Sequence, residues 1–151
     1  MRKILFRGKR KDNGNWIYGT VVYPRSIKNE NYVAIVPIVD GISVYSMIRE
    51  VIPETVGQFT GIYDKNCQEI FEGDICTYPD GWVDHAGDGV ETFSVGVVTW
   101  DDKNPSFYLT NNIGVEWDEI WGSVDEITVI GNVHDDPCQQ LPWDDVPNTD
   151  F

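Results

Sequence analysis

Gln58-Phe59-Thr60-Gly61-Ile62-Tyr63-Asp64-Lys65-Asn66-Cys67-Gln68-Glu69-Ile70-Phe71-Glu72-Gly73-Asp74-Ile75 is the stretch whose reading decides the fold. Thr55 to Thr60 reads as a strand, and the apolar segments Ile62-Tyr63 and Glu69-Ile70-Phe71 flank the polar Asp64 to Cys67. That spacing predicts a hairpin with a loop of three to four residues, which needs a left-handed residue near its end. Asn66 is expected to take it, because Asn tolerates positive φ better than most side chains. Glu72-Gly73-Asp74 then turns the chain into a strand over 73–78. Glu72 and Asp74 stand at i and i+2 and would share one face of a strand, as an acid–base pair would require. The simpler reading is that Gly73 makes a turn and Asp74 bonds nearby backbone amides.

Upstream, the pattern is also one of strands. Ile4-Leu5-Phe6 is a short apolar run bounded by charges and reads as an edge strand. Asp12-Asn13-Gly14-Asn15 is a turn signal. Trp16 to Tyr23 alternates with apolar groups on both faces, which predicts a sandwiched strand. Tyr32 to Val39 is an apolar, β-branched run broken by Pro37, which places that end at an edge or bulge. Asp40-Gly41 turns the chain again, and the best helical stretch, Ser46 to Glu50, is a single turn.

Downstream, Pro79 to Gly89 reads as a long polar loop, and Thr92 to Trp100 as a strand in which Gly96 marks a bulge or sharp bend. Ser106 to Thr110 is another strand, Asp118 to Trp121 a helical turn, and Glu126 to Val133 the closing strand. The reading is mainly β: an N-terminal β meander or sheet over 1–66 and an SH3-like small β-barrel over 67–134. A disordered acidic tail is expected over 135–151, and one compact unit over the first two parts is an alternative. A 151-residue chain buries roughly 70% of its unfolded surface, so it folds without disulfide staples.

Charge is distributed unevenly. Residues 1–65 carry ten Lys and Arg against six Asp and Glu, and residues 66–151 carry one against nineteen, within a net charge of −14. The basic and acidic parts attract, within one chain or between copies in a homo-oligomer. Nucleic acid is disfavoured as a partner by the acidic half. Only the arm Arg2 to Lys11, followed by Trp16 and Tyr18, combines basic and aromatic groups, and its simpler reading is a charged strand edge that resists aggregation. No run of 18 apolar residues is present, and the apolar start Ile4-Leu5-Phe6 is too short for a signal peptide, so a cytoplasmic protein without a membrane span is expected.

Chemistry-bearing patterns are sparse. The three cysteines, Cys67, Cys76 and Cys138, lack framework spacing and read as reduced thiols. His85 and His134 lie beside acids, but no metal-ligand spacing surrounds them, and no metal or cofactor is expected. A Cys67 or Cys76 nucleophile would need His85 or His134 within hydrogen-bond reach. Trp82, Trp117 and Trp121 read equally as core or as a contact surface for an extended peptide.

Five blocks in order resemble the YopX family of phage-associated proteins of unknown function. They are Arg2-Lys3-Ile4-Leu5-Phe6-Arg7-Gly8, Trp16-Ile17-Tyr18-Gly19, the Phe59 to Ile75 stretch, Gly96-Val97-Val98-Thr99-Trp100 and Val129-Ile130-Gly131-Asn132-Val133. The signature positions are Gly61, Asp64, Asn66, Glu72, Gly73, Asp74, Gly131 and Asn132. The family usually has Gly where this chain has Cys67, so either Asn66 adopts the left-handed conformation or the loop is reshaped. The resemblance implies a phage- or prophage-encoded protein in the cytoplasm of a bacterial host, and no active site. The expected role is a non-enzymatic protein-binding or assembly module. Two alternatives are an acidic DNA mimic that sequesters a host DNA-binding protein and a small hydrolase using His, Cys and Asp.

Overall fold

A computed structural model describes residues 1–23, 31–79, 82–83, 86–90, 93–110, 116–119 and 126–135. The chain divides into two compact units, Met1–Gly61 and Ile62–Phe151. Antiparallel strands build both, and no α-helix occurs among the described residues.

The first unit holds β1 (Phe6–Lys9), β2 (Trp16–Val22), β3 (Val33–Val39), β4 (Ile42–Ser43), β5 (Arg49–Val51) and most of β6 (Gly57–Tyr63). Their order is β4-β3-β2-β1-β6, with β5 also beside β3. The expected edge strand is therefore an inner one, because β6 returns to pair Gln58 with Phe6 and Gly57 with Arg7. Only long-range pairing could have shown this. The turn before β2 forms as expected: Gly14 has φ of +72° and its N–H donates to Arg10 O.

β2 is covered on one face, not on both. Ile17 and Gly19 are buried, whereas Tyr18 and Thr20 are exposed. Gly19 lies opposite Pro37 of β3, and a Cβ there would stand 1.8 Å from Val36 O. Two backbones approach so closely that only glycine fits. The core of this unit is Ile17, Val33, Ile35 and Val51, with Val21 and Val56 packed against it. β3 starts fully buried and emerges exposed at Ile38 and Val39. Pro37 falls where its missing N–H would face β4, so the pairing there keeps one bond, Val44 N–H to Pro37 O. Asp40-Gly41 closes the β3–β4 hairpin with φ of +50° and +77°, the pattern of a type I′ turn. A 3₁₀ turn follows at Tyr45–Met47, next to the expected single turn.

The second unit starts within β6 and adds β7 (Glu69–Phe71), β8 (Asp74–Pro79), β9 (Trp82–Val83), β10 (Gly89–Val90), β11 (Phe93–Asp101), β12 (Ser106–Thr110), β13 (Glu116–Glu119) and β14 (Thr128–Asn132). Five of them form a sheet in the order β13-β12-β11-β8-β14. This path has two ends, so the described strands form an open sheet and not the closed SH3-like barrel expected. The presumed polar loop carries a two-stranded ribbon, β9 with β10. The expected helical turn at Asp118 is strand instead, since β13 pairs with β12 and tertiary pairing overrides the weak local preference.

Gly96 makes no bulge against β8. β11 pairs through it in unbroken register with β8, Gly96 facing Cys76. A Cβ at Gly96 would lie 3.2 Å from Leu109 Cβ, Thr110 O and Tyr78 Cε1, so a side chain there would be crowded and its neighbours would have to give way. The bulge falls instead at Ile130, between Val129 and Gly131 of β14. The core of this unit is Ile70, Cys76, Tyr78, Val98, Phe107, Leu109 and Ile127, with Ile62 and Val129 against it. The acidic segment expected to be disordered lies, from residue 136 on, outside the described residues.

Candidate functional site

The signature turn is built around one carboxylate. Asp64 N–H donates to Gln68 O at 2.8 Å, and Cys67 N–H donates to Asp64 O at 3.0 Å. This is a type I turn followed by a left-handed residue. That residue is Cys67, with φ of +61°, and not Asn66. Asn66 sits at a right-handed position of the turn, where its N–H reaches Asp64 Oδ1 at 2.8 Å. The chain therefore keeps the turn that glycine would favour and bears the strain of a side chain at its last position.

Asp64 does more than close its own loop. Oδ1 also accepts the Gln68 N–H at 2.9 Å, and Oδ2 accepts the Val129 N–H of β14 at 3.0 Å. Lys65 N–H donates to Ile127 O at 3.0 Å. The turn thus presents an acceptor and a donor to residues 127 and 129, as a neighbouring strand would. It satisfies the outer edge of β14, which pairs with β8 on its other side. Burial of the carboxyl opposes its ionisation, but the amide bonds from Gln68, Val129 and Asn66 and the Lys65 charge outweigh it. The pKa of Asp64 is held below the ordinary value of 3.8. Asp64 is 5% exposed, and burial is the largest single influence on its carboxyl, overcome only by the three amide bonds and the Lys65 charge acting together.

The other signature residues meet at the far end of the same strand. Gly73 has φ of +88°, its N–H donates to Val98 O, and its carbonyl accepts Val133 N–H. The His134 ring lies against it, with Nε2 3.1 Å from where a Cβ would be. Asp74 is 1% exposed and its Oδ2 accepts the Phe71 N–H at 2.8 Å, which makes it the cap of the turn from β7 to β8. Glu72 is half-buried. Asn132 pairs with Asp74 across the ladder, and its Oδ1 accepts the N–H groups of His134 and Asp135. Gly131 follows the bulge and faces Ile75. Gly61, with φ of +89° and open space where a Cβ would go, ends the first unit. These residues set backbone geometry.

The expected contact aromatics are placed only in part. Trp82 lies in β9 and Trp117 in β13, their side chains outside the description, and Trp121 falls outside the described residues. Trp100 of β11 is 38% exposed and stands edge-on to Phe107 at 4.9 Å between centroids. His85 is outside the described residues, and Cys67 and Cys76 are free thiols, one exposed and one buried. Among the described residues no three of His, Cys, Asp and Glu gather as a metal site.

The basic arm turns its charges onto its own unit. Arg7 lies over the Trp16 ring at 4.6 Å, Lys9 over the same ring at 5.5 Å, and Lys3 over Phe59 at 5.6 Å. Arg10 grips Asp12 with two bonds of 2.9 and 2.5 Å, and Lys11 reaches Glu50 at 2.8 Å. The Arg10 bond is the main reason that the Asp12 pKa falls below 3.8.

One surface escaped the sequence reading. Ile38, Val39, Ile42, Tyr45, Met47 and Ile48 are all exposed large apolar groups, Ile42 at 68% and Tyr45 at 74%. They occupy the β3–β4 hairpin and the 3₁₀ turn after it, at the end of the first sheet. A signal was present: the apolar run of β3 continues past Pro37, and apolar residues resume directly after Asp40-Gly41.

Fold and signature together define an antiparallel all-β protein of two units, the second organised around a carboxylate turn that completes its last strand. The chain belongs to the YopX protein family, whose profile matches residues 5–139. Among solved structures it is similar to protein EF1440 from Enterococcus faecalis, at 21% identity over 91% of this chain and 97% of that one, with a TM-score of 0.51. That likeness is one of fold. No curated protein matches the chain. Among the described residues no helix is long and apolar enough to cross a membrane.

Proposed function

We propose that this protein is a non-enzymatic binding or assembly module, phage- or prophage-encoded and acting in the cytoplasm of a bacterial host through protein contacts. The observation that carries this reading is the exposed apolar hairpin from Ile38 to Ile48. Contiguous apolar patches of several hundred Å² on a soluble protein mark places that a partner covers. The signature residues support it by their engagement: Asp64 and Asp74 spend their carboxylates on backbone N–H groups.

The test is affinity capture with the full chain from host cells, with and without phage, at low and high salt. Size measurement of the purified chain accompanies it. A stoichiometric partner, self or other, that survives high salt and is lost on Tyr45→Asp is the expected result. Failure to find any such partner, or turnover of a small molecule by the purified chain, refutes the reading.

A further inference from the structure

Resting on the binding-module reading, we infer that the Ile38–Ile48 hairpin is an interface between two copies of this chain, related by a two-fold axis. The hairpin has two apolar ends. Its tip carries Ile38 on one face and Val39 with Ile42 on the other, since paired residues share a face and neighbours alternate. Its base carries Tyr45, Met47 and Ile48. A two-fold axis lays the tip of one copy against the base of the other, and each copy then gives and receives the same contact.

The charges at the two ends fit this arrangement. Asp40 stands at the tip and Arg49 just past the base. Among the described residues Asp40 is in no ion pair; the Arg49 guanidinium donates to Ile48 O, and its charge also reaches the Asp12 carboxylate without a direct bridge. Antiparallel docking brings Asp40 of each copy to Arg49 of the other. A strongly charged partner would find no answering charge along the six apolar side chains between them.

Area and rigidity agree. Leaving out Ile38, which lies on the other face of the tip, the remaining five residues expose on the order of 550 Å² per copy, so a pair that covers them buries about 1,100 Å², just above the roughly 1,000 Å² a specific interface needs. The surface is also fixed in advance, by the type I′ turn and by the bonds Val44 N–H to Pro37 O, Met47 N–H to Val44 O and Ile48 N–H to Tyr45 O. Little backbone entropy remains to be lost on docking.

The experiment is sedimentation equilibrium on the full chain and on exposed-site variants checked for fold by circular dichroism. The wild type is expected to show a reversible dimer, twice the 17.2 kDa chain mass. Ile42→Asp should weaken it at least tenfold. Asp40→Lys and Arg49→Asp should each weaken it several-fold, and mixing the two should restore a heterodimer, because both ion pairs then reform. A wild-type chain monomeric at up to about 1 mM, weaker than any specific interface of this size, overturns the inference, as does a dimer indifferent to Ile42→Asp. A monomer that captures another protein through Tyr45 sinks the two-copy assignment alone. A monomer that captures nothing sinks the binding reading too.

Discussion

Replacing Asp64 tests the account of the signature most directly. Its carboxylate accepts three backbone N–H groups, from Asn66, Gln68 and Val129. Bonds to a charged group contribute about 1.5–3 kcal/mol each when deeply buried. Here the bonds are part-buried and the turn residues Lys65 to Gln68 are exposed to water, so Asp64→Ala should cost about 3 kcal/mol in total. For a chain of this size that lowers the melting temperature by about 6–12 °C. Asp64→Asn should cost about half as much, because an amide has one acceptor oxygen. It can serve the Asn66 and Gln68 N–H groups or that of Val129, but its NH₂ then faces a donor.

The same bonds give a pH signature. The folded pKa lies below the unfolded one, so the carboxylate stabilises the fold fully above the unfolded value. The contribution is lost as pH falls through the folded pKa, that is, from about 4 downward. Both variants should lack this acid-limb component. Thermal unfolding by circular dichroism at pH 3 and pH 7, with hydrogen exchange at the Val129 amide, checks these points. A loss under about 1 kcal/mol for Asp64→Ala, or unchanged Val129 protection, would refute the role given to the turn.

Cys67→Gly should stabilise the protein by about 1 kcal/mol, since it removes a side chain from a left-handed position, and denaturant titration will show it. Gly19→Ala should abolish the folded first unit or cost well over 3 kcal/mol, because the new Cβ would overlap the Val36 carbonyl; soluble yield and circular dichroism report the outcome. Gly73→Ala should cost about 2 kcal/mol, part conformational and part steric. A His134→Ala background should recover only the steric part, which a double-mutant cycle separates.

The sequence revealed turns better than neighbours, for a physical reason. Asp12 to Asn15, Asp40-Gly41 and Asp64 to Cys67 carry their turn chemistry in adjacent residues, and each turns the chain where expected. The position of β1 inside its sheet depends on β6, about 50 residues away, and no local pattern encodes it. Gly96 misled because a glycine in a strand signals a bulge or a close approach alike, and only the Leu109 and Tyr78 side chains decide between them. Asn66 misled for a related reason: intrinsic tolerance of positive φ pointed to it, but the bonds of Asp64 fix which residue of the loop must take that conformation. Of the candidate site, the signature residues were legible as turn-makers. The apolar hairpin was not, because β3 reads the same whether its end is covered or bare.

The Val129 to Asp64 bond joins residues 65 apart in the chain. Closing so long a loop is entropically slow, so β14 should dock late, after the β6–β7 hairpin already stands. On the ribosome the hairpin emerges well before its last strand does. Until residues 127 and 129 arrive, the turn waits with an acceptor and a donor open, which makes this edge the place where a stalled or truncated chain would recruit a foreign strand.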